Sequence, residues 1–546
     1  MKVSFILGDH NLPKILDKSS TGGRLLRETT LNDPIRYSLD DPIEKWLYDL
    51  LCLDATEPES LRNGLPHPND CELFLVNRET LFAYHKATEK FLFRLMSLFV
   101  SSHYKNSPND LQLLSDAPAH AVFVLLGPLK QDAQGKNETP DILCAVQVCL
   151  EGKISKKSVM DHTLRGLKPS GDLIPWTVSE QYQDNDFPQL NGVRVVRIAT
   201  HANGQKMGYG SKALELLDKF FESKLISLDE DVEIVDFERF DFSKDNIVKE
   251  GETSIAEESL KPKRQLKPLL KRLGEVRPPH IDYLGVSFGL THELFNFWGK
   301  NKYVPVYLRQ TINETTAEHT CVMIKALQTS SNLKANDTLG ANEQEAGKFA
   351  LKNRCLTPYL DWTRAYADDF QKRFVYLLGY DFNVFEVPMC LSILNPNLTS
   401  KDEEAEEASK EALSKEDIQR YINLFDLKRL EAYSKNLVDY RLITDLLPAL
   451  SQMFFLNKLP KSLKLSYAQA AILIGLGLQY KHIDNVSAEL KLPASQALAL
   501  FNKAIRKITN QFKRTFEKDV EKTLKNRKLI VKFLYLIILI SHRMLN

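Results

Sequence analysis

Residues 197–217, RIATHANGQKMGYGSKALELL, carry an apolar strand into a glycine loop and then into a helix. The strand ends at Thr200, the loop runs Gln205-Lys206-Met207-Gly208-Tyr209-Gly210, and the helix begins near Ser211. Gly208 and Gly210 permit positive φ and remove side chains where backbone must approach a ligand. The first amides of a helix have no partner within it, and the helix dipole favours an anion there. The chemistry suited to that arrangement is pyrophosphate binding; a ligand-free tight turn is the plainer alternative. Three glycines at GxGxxG spacing are absent, and no GK[ST] ends the motif, so neither the dinucleotide nor the Walker pattern is met. What remains is Q-x-x-G-x-G between strand and helix.

Strands and helices alternate on both sides of this loop. HAVFVLLG (120–127), ILCAVQVCLEG (142–152) and VRVVRIAT (193–200) are β-rich runs, the last setting Val193, Val195 and Ile198 against arginines. SKALELLDKFFESKL is a strong helix; IDYLGVSFG (281–289), a helix through Phe297 and YVPVYLRQ (303–310) follow. The pattern predicts an α/β domain with a mixed central sheet. Upstream, DPIEKWLYDLLCL (41–53) places Ile43, Trp46, Leu47, Leu50 and Leu51 on one helical stripe, with no glycine-rich phosphate loop before it. Residues 326–350 read as a polar linker, and SKDEEAEEASKEALSKED (400–417) as a solvated acidic helix or loop. From Ile418 to Lys507 the pattern is helical.

A chain of 546 residues is too long for one core and predicts three or four domains. An apolar share of 43% with 26% charged residues is that of an ordinary soluble globular protein. The net charge of +1 does not exclude a nucleic-acid partner, because local distribution decides. Seven cysteines without a CxxC pair argue against a disulfide framework or a zinc site, and no metal is expected. The N-terminal MKVSFILGDHNLPK has too short an apolar core for a signal peptide. LIVKFLYLIILI (529–540), broken only by Lys532, falls short of the about 20 residues of a bilayer span and reads as a buried strand or helix, or as a replaced tail.

The Q-x-x-G-x-G loop resembles motif A of the GNAT acetyltransferases, where it cradles the pyrophosphate of coenzyme A. A longer set of blocks resembles the RNA cytidine acetyltransferase family: VRVVRIATH…QKMGYGSKALELL, RPPHIDYLGVSFGLTHELFNFWGKNKYVPVYLRQT, EHTCVMIK, SSHYKNSPNDLQLLSDAPAH and SGDLIPWTVSEQYQD. The resemblance runs from about Arg24 to about Lys507. It implies a GNAT fold followed by a mainly α-helical RNA-binding domain. It also implies that Ile198, Ala199, Thr200, Gln205, Lys206, Met207, Gly208, Tyr209, Gly210 and Ser211 hold acetyl-CoA. Lys300, after Phe297 and Trp298, stands where the family carries an arginine; it keeps the charge and loses the planar fork. Glu293, on the same helix, is a weaker candidate.

An exocyclic cytidine amine must lose a proton as it attacks a thioester, so a base or water relay is expected. The resemblance points to His103, with helix capping or phosphate binding as its plainer roles; His201 is a second option. Tyr209 could protonate the leaving thiolate or simply pack, and no cysteine neighbours the loop in sequence. Asp33-Pro34-Ile35-Arg36-Tyr37 resembles the end of the family's helicase-like ATPase module, with Arg36 as an ATP contact. The implied domains are an ATPase remnant (1–70), a GNAT domain (71–325), a linker (326–350), a helical RNA-binding domain (351–520) and an atypical tail (521–546).

In the helical part, Lys428, Arg429, Lys435 and Arg441, then Lys503, Arg506, Lys507, Lys513 and Arg514, suggest a phosphate-gripping face; KPKRQLKPLLKR (261–272) adds a basic strip. The implied function is acetyl transfer from acetyl-CoA to cytidine in small-subunit ribosomal RNA and transfer RNA, supporting ribosome biogenesis. Acetyl-CoA, and ATP with magnesium, are the implied cofactors. RNA, RNA or protein adaptors and a second copy are the implied partners, no membrane is expected, and the setting is the nucleus and nucleolus. A protein lysine acetyltransferase and a non-catalytic ribosome-assembly factor are the alternatives.

Overall fold

A strand covered by helices on both faces must be apolar throughout, and Ile142–Gly152 is buried at nearly every position. It is the middle of a sheet. The computed structural model describes residues 35–543 except 39, 57, 62–63, 103–107, 129–140, 167–168, 170, 228, 230–232, 238–266, 315, 328–361, 395–414 and 461–462; from 522 on, 524 aside, it describes backbone only. His103, the basic residues 261–266, the linker residues 328–350 and the acidic residues 400–414 lie outside the described residues.

Two compact units divide the chain: Met1–Gly289 with Ile312–Asp361, and Leu290–Thr311 with Trp362–Asn546. The first holds strands β1 (Glu72–Val76), β2 (His120–Leu126), β3 (Ile142–Gly152), β4 (Asn191–Thr200), β5 (Leu270–Arg272), β6 (Tyr283–Gly289) and β7 (Thr320–Ala326). They lie in the order β5-β1-β2-β3-β4-β6-β7. Every neighbouring pair is antiparallel except β4 with β6, which is parallel, so the sheet is mixed.

One face takes the helix Lys86–Ser102, whose buried Phe91, Leu95, Leu98 and Phe99 pack with Val122, Val124, Ala145 and Ala199. The helix Leu173–Tyr182 covers the same face farther along. A Cβ on Gly285 would lie 2.4 Å from Ile174 Cδ1, so glycine lets that helix approach. On the opposite face the helix Tyr209–Phe221 buries Ala213, Leu214, Leu217, Phe220 and Phe221. Phe123 meets Phe220 and Phe221 edge-on at 5.8 and 6.3 Å. Each buried Leu or Phe among these contributes about 1.5–3 kcal/mol.

The spacing Val193, Val195, Ile198 breaks the period of two, and the structure shows why. Gln147 pairs with Arg197 while Val148 pairs with Val195, leaving Val196 as the extra residue of a β-bulge. Arg194 and Arg197 thereby share a face. Arg194 pairs with buried Glu151, and Arg197 with Asp110 at 2.8 Å.

The second unit is helical, as the sequence predicts, apart from the strand Val304–Leu308. Its first helix, His292–Lys300, starts on Thr291, whose side chain accepts from the Leu294 amide, and buries Phe295 and Trp298. The helix–turn–helix rhythm is seen in Tyr467–Leu473 and Ile483–Glu489, followed by Ala494–Arg543. A π-turn at Ile474–Leu478 separates the first two. Residues 529–540 continue the last helix, and no described helix is long and apolar enough to cross a membrane.

Candidate active site

The parallel pair β4–β6 is short. It runs from Gly192 opposite Tyr283 to Val195 opposite Val286 and stops there. Both strands go on: β4 stays on β3 as far as Thr200, and β6 stays on β7 as far as Gly289. The two strands therefore part immediately beside the bulge at Val196. Backbone groups of Arg197–Thr200 on that side face an opening, which an extended ligand with amide groups can pair as an added strand would. Ile198 and Thr200 lie on the face of the helix Tyr209–Phe221, and Ala199, buried, on the other.

Beyond Thr200 the chain turns through Ala202–Gly204 and enters the glycine loop. Gln205, Lys206, Met207 and Gly208 are all exposed. Left-handed backbone occurs at Lys206 (φ 63) and Gly208 (φ 96). This corrects the expectation that both glycines supply positive φ: the helix begins at Tyr209, two residues earlier than predicted, and Gly210 already lies in its first turn. The amide of Lys212 bonds the Gly208 carbonyl at 2.9 Å. Among the described residues, the amides of Gly208, Tyr209 and Gly210 meet no backbone carbonyl. No side chain caps this end. Three such amides at a helix start, with left-handed backbone at Lys206 and again at Gly208, have the geometry of an anion nest. Ser211 and half-buried Lys212 border it.

The side chain of Tyr209 does not belong to the nest. It is fully buried, its hydroxyl donates to the Pro66 carbonyl at 2.5 Å, and burial raises its pKa. The idea that it protonates a leaving thiolate is thus corrected; Tyr209 packs under the loop, against Gly204, and contributes its backbone amide. A Cβ on Gly204 would lie 2.9 Å from the Tyr209 ring. His201 is buried as well. Its Nε2 donates to the Glu59 carbonyl at 2.9 Å and its Nδ1 accepts from the Asn203 amide at 3.3 Å. Both ring nitrogens are engaged, so His201 holds the turn and is not a base. Glu59 in turn holds Arg94 at 2.9 Å.

One neighbour was invisible in the sequence. Cys144 pairs across the strands with Thr200, whose hydroxyl donates to its sulfur at 3.6 Å. A cysteine therefore does stand beside the ligand strand, contrary to the sequence spacing. Burial pushes its thiol up to about 12, which leaves it un-ionised and inert as a nucleophile. The six described cysteines are all free and buried. Among the described residues no group of three or more His, Cys, Asp or Glu side chains could hold a metal ion.

Other expected contacts are placed as follows. Arg36 is exposed. Lys300 and Glu293 are exposed residues of the helix His292–Lys300 in the second unit. Part of that unit's expected basic face has structural duties instead. Arg429 binds Asp426 and Asp445, Arg506 donates to the Ser434 carbonyl, Lys507 donates to the Lys464 carbonyl, and Lys513 pairs with Glu431. Lys428, 6.0 Å over the Phe425 ring, and Lys435, Arg441, Lys503 and Arg514 remain as candidate phosphate contacts.

Comparison with known proteins converges on one family. Residues 94–328 match the family model GNAT acetyltransferase 2, residues 362–533 match "Possible tRNA binding domain", and residues 11–54 match "RNA cytidine acetyltransferase NAT10/TcmA, helicase domain". A Dictyostelium discoideum protein named RNA cytidine acetyltransferase is 47% identical over 92% of this chain and 46% of that protein. The Saccharomyces cerevisiae and Homo sapiens proteins of the same name are 44% and 45% identical over 92% and 94% of the chain, and 45% and 47% of their own lengths. The chain thus spans about half the length of the curated relatives it matches. With its GNAT-type mixed sheet and helical second unit, the chain belongs to the RNA cytidine acetyltransferase family.

Proposed function

We propose that this chain transfers an acetyl group from acetyl-CoA to the exocyclic amine of cytidine in RNA. The observation that carries this reading is the parting of β4 and β6 after Val195 and Val286, next to the amide nest of Gly208–Gly210. A linear ligand with amides along its middle and paired phosphates at one end suits that combination. The nest residues would hold the pyrophosphate, with Lys206 and Lys212 adding positive charge. Arg197–Thr200 would pair the pantetheine amides. Bound acetyl-CoA supplies an activated thioester; the chain's part is to fix that thioester and admit the amine from the open side.

The relatives' shared name supports cytidine in RNA as the acceptor. The match of residues 362–533 to a possible tRNA-binding domain supports RNA contact through the second unit. Within this proposal the RNAs are small-subunit ribosomal RNA and transfer RNA, the setting is the nucleolus, and ribosome biogenesis is the process served. Adaptors and self-association belong to the same proposal. ATP, touched by Arg36, would be used with the ATPase module that the relatives' length accommodates. The test is incubation of structured RNA with the chain and isotope-labelled acetyl-CoA, followed by nucleoside mass spectrometry. Labelled N-acetylcytidine is expected from wild type and not from Gly210→Glu, which places a carboxylate in the nest. Acetylation of histone peptides with none on RNA would point to a protein lysine acetyltransferase instead.

A further inference from the structure

Glycine ends β6, and the reason lies in another segment. A Cβ on Gly289 would sit 2.1 Å from Oε2 and 2.8 Å from Cδ of Glu318. The Glu318 carboxylate therefore occupies the space a side chain would take at the last residue of β6. Gly289 is three residues past Val286, where β6 has already left β4, so this carboxylate stands beside the opening. Side chains alternate along a strand. Gly289 thus shares the face of Gly285, opposite Arg194, and of Arg197 just past the bulge. On the β4 side that face is closed by the Arg197–Asp110 pair; on the β6 side it carries Glu318. The nest helix covers the opposite face; this face carries the helices Lys86–Ser102 and Leu173–Tyr182, the latter over Gly285, and Glu318 stands past them at the end of β6. The Glu318 side chain is half-buried and has no hydrogen-bond or ion-pair partner among the described residues.

We propose that Glu318 is the carboxylate that binds the acceptor amine and takes its proton during transfer; the proposal rests on the acetyl-transfer reading above. The amine nitrogen bonds to the acetyl carbonyl carbon and the carbon–sulfur bond breaks. One amine proton passes to Glu318 and on to solvent, and the departing thiolate takes a proton from solvent. The products are the acetylated amine and the free thiol. Gly289 serves this arrangement by admitting the carboxylate against the strand.

The test compares wild type, Glu318→Gln, Glu318→Ala and Glu318→Asp, measuring acetyl-CoA binding by calorimetry and cytidine acetylation by mass spectrometry. Glu318→Gln is expected to bind acetyl-CoA within twofold of wild type and to lose about 100-fold or more in kcat. Glu318→Asp should keep part of the rate, and formate should raise the rate of Glu318→Ala, as an exogenous base does and a structural repair does not. The proposal is overturned if Glu318→Gln turns over within about threefold of wild type, if it loses acetyl-CoA binding in parallel with rate, or if formate has no effect. Failure of wild type itself to acetylate RNA cytidine would reject the broader reading, and this assignment with it.

Discussion

Gly208→Ala isolates what the nest does. Gly208 has φ 96, and a Cβ there would meet only Pro68 Cγ at 3.7 Å, an ordinary contact. Steric exclusion is therefore not the mechanism; left-handed backbone is. An L-residue held there costs about 1–2 kcal/mol. Gln205–Gly208 are exposed, so the loop of the free protein can relax and release that strain. It is reimposed when phosphates gather the amides, so the cost falls on binding. At 1.4 kcal/mol per factor of ten, acetyl-CoA should bind about 5- to 30-fold more weakly. Calorimetry with acetyl-CoA reads this directly. Acetyl-pantetheine, which lacks the pyrophosphate, should bind both proteins alike. Equal acetyl-CoA affinity for the two proteins, or an equal loss for both ligands, would refute the assignment of the nest to the phosphates.

Tyr209→Phe removes the bond to Pro66 and should cost about 1 kcal/mol of stability, measured by urea unfolding, with kcat within about threefold of wild type; a hundredfold loss in kcat would restore the hydroxyl as a proton donor. Arg194→Ala leaves the buried Glu151 carboxylate without its ion-pair partner, holding only the Ile174 amide at 3.2 Å, and should cost about 3–5 kcal/mol, while Arg194→Leu with Glu151→Leu should recover most of it. Equal destabilisation of single and double variants would show that the pair is not the cause. His120 is pushed down to about 4 by burial, aided by Arg194 and Arg78, against about 6.5 in an unfolded chain. Between those values the unfolded chain takes up a proton that the folded one refuses, so stability falls as pH drops from 6.5 towards 4. His120→Gln should flatten that part of the profile in thermal unfolding scans; an unchanged slope would contradict the burial argument.

The amino-acid sequence by itself determined the main elements and the loop. β-rich runs at 120–127, 142–152 and 193–200 read as strands of a central sheet, and Q-x-x-G-x-G reads as the join of strand to helix. Local backbone chemistry sets these features, and local chemistry is what a sequence displays. The phase break between Val195 and Ile198 is the local mark of the residue inserted at the bulge. Tertiary structure alone decided which side chains face the opening. His201 and Tyr209, adjacent to the loop in sequence, are turned into the core by Glu59 and Pro66. Cys144 and Glu318 reach the site from remote segments, because strand pairing brings together residues that chain distance cannot relate. The parting of β4 from β6 is likewise a matter of which partner each strand keeps, and no single strand's sequence encodes its neighbour.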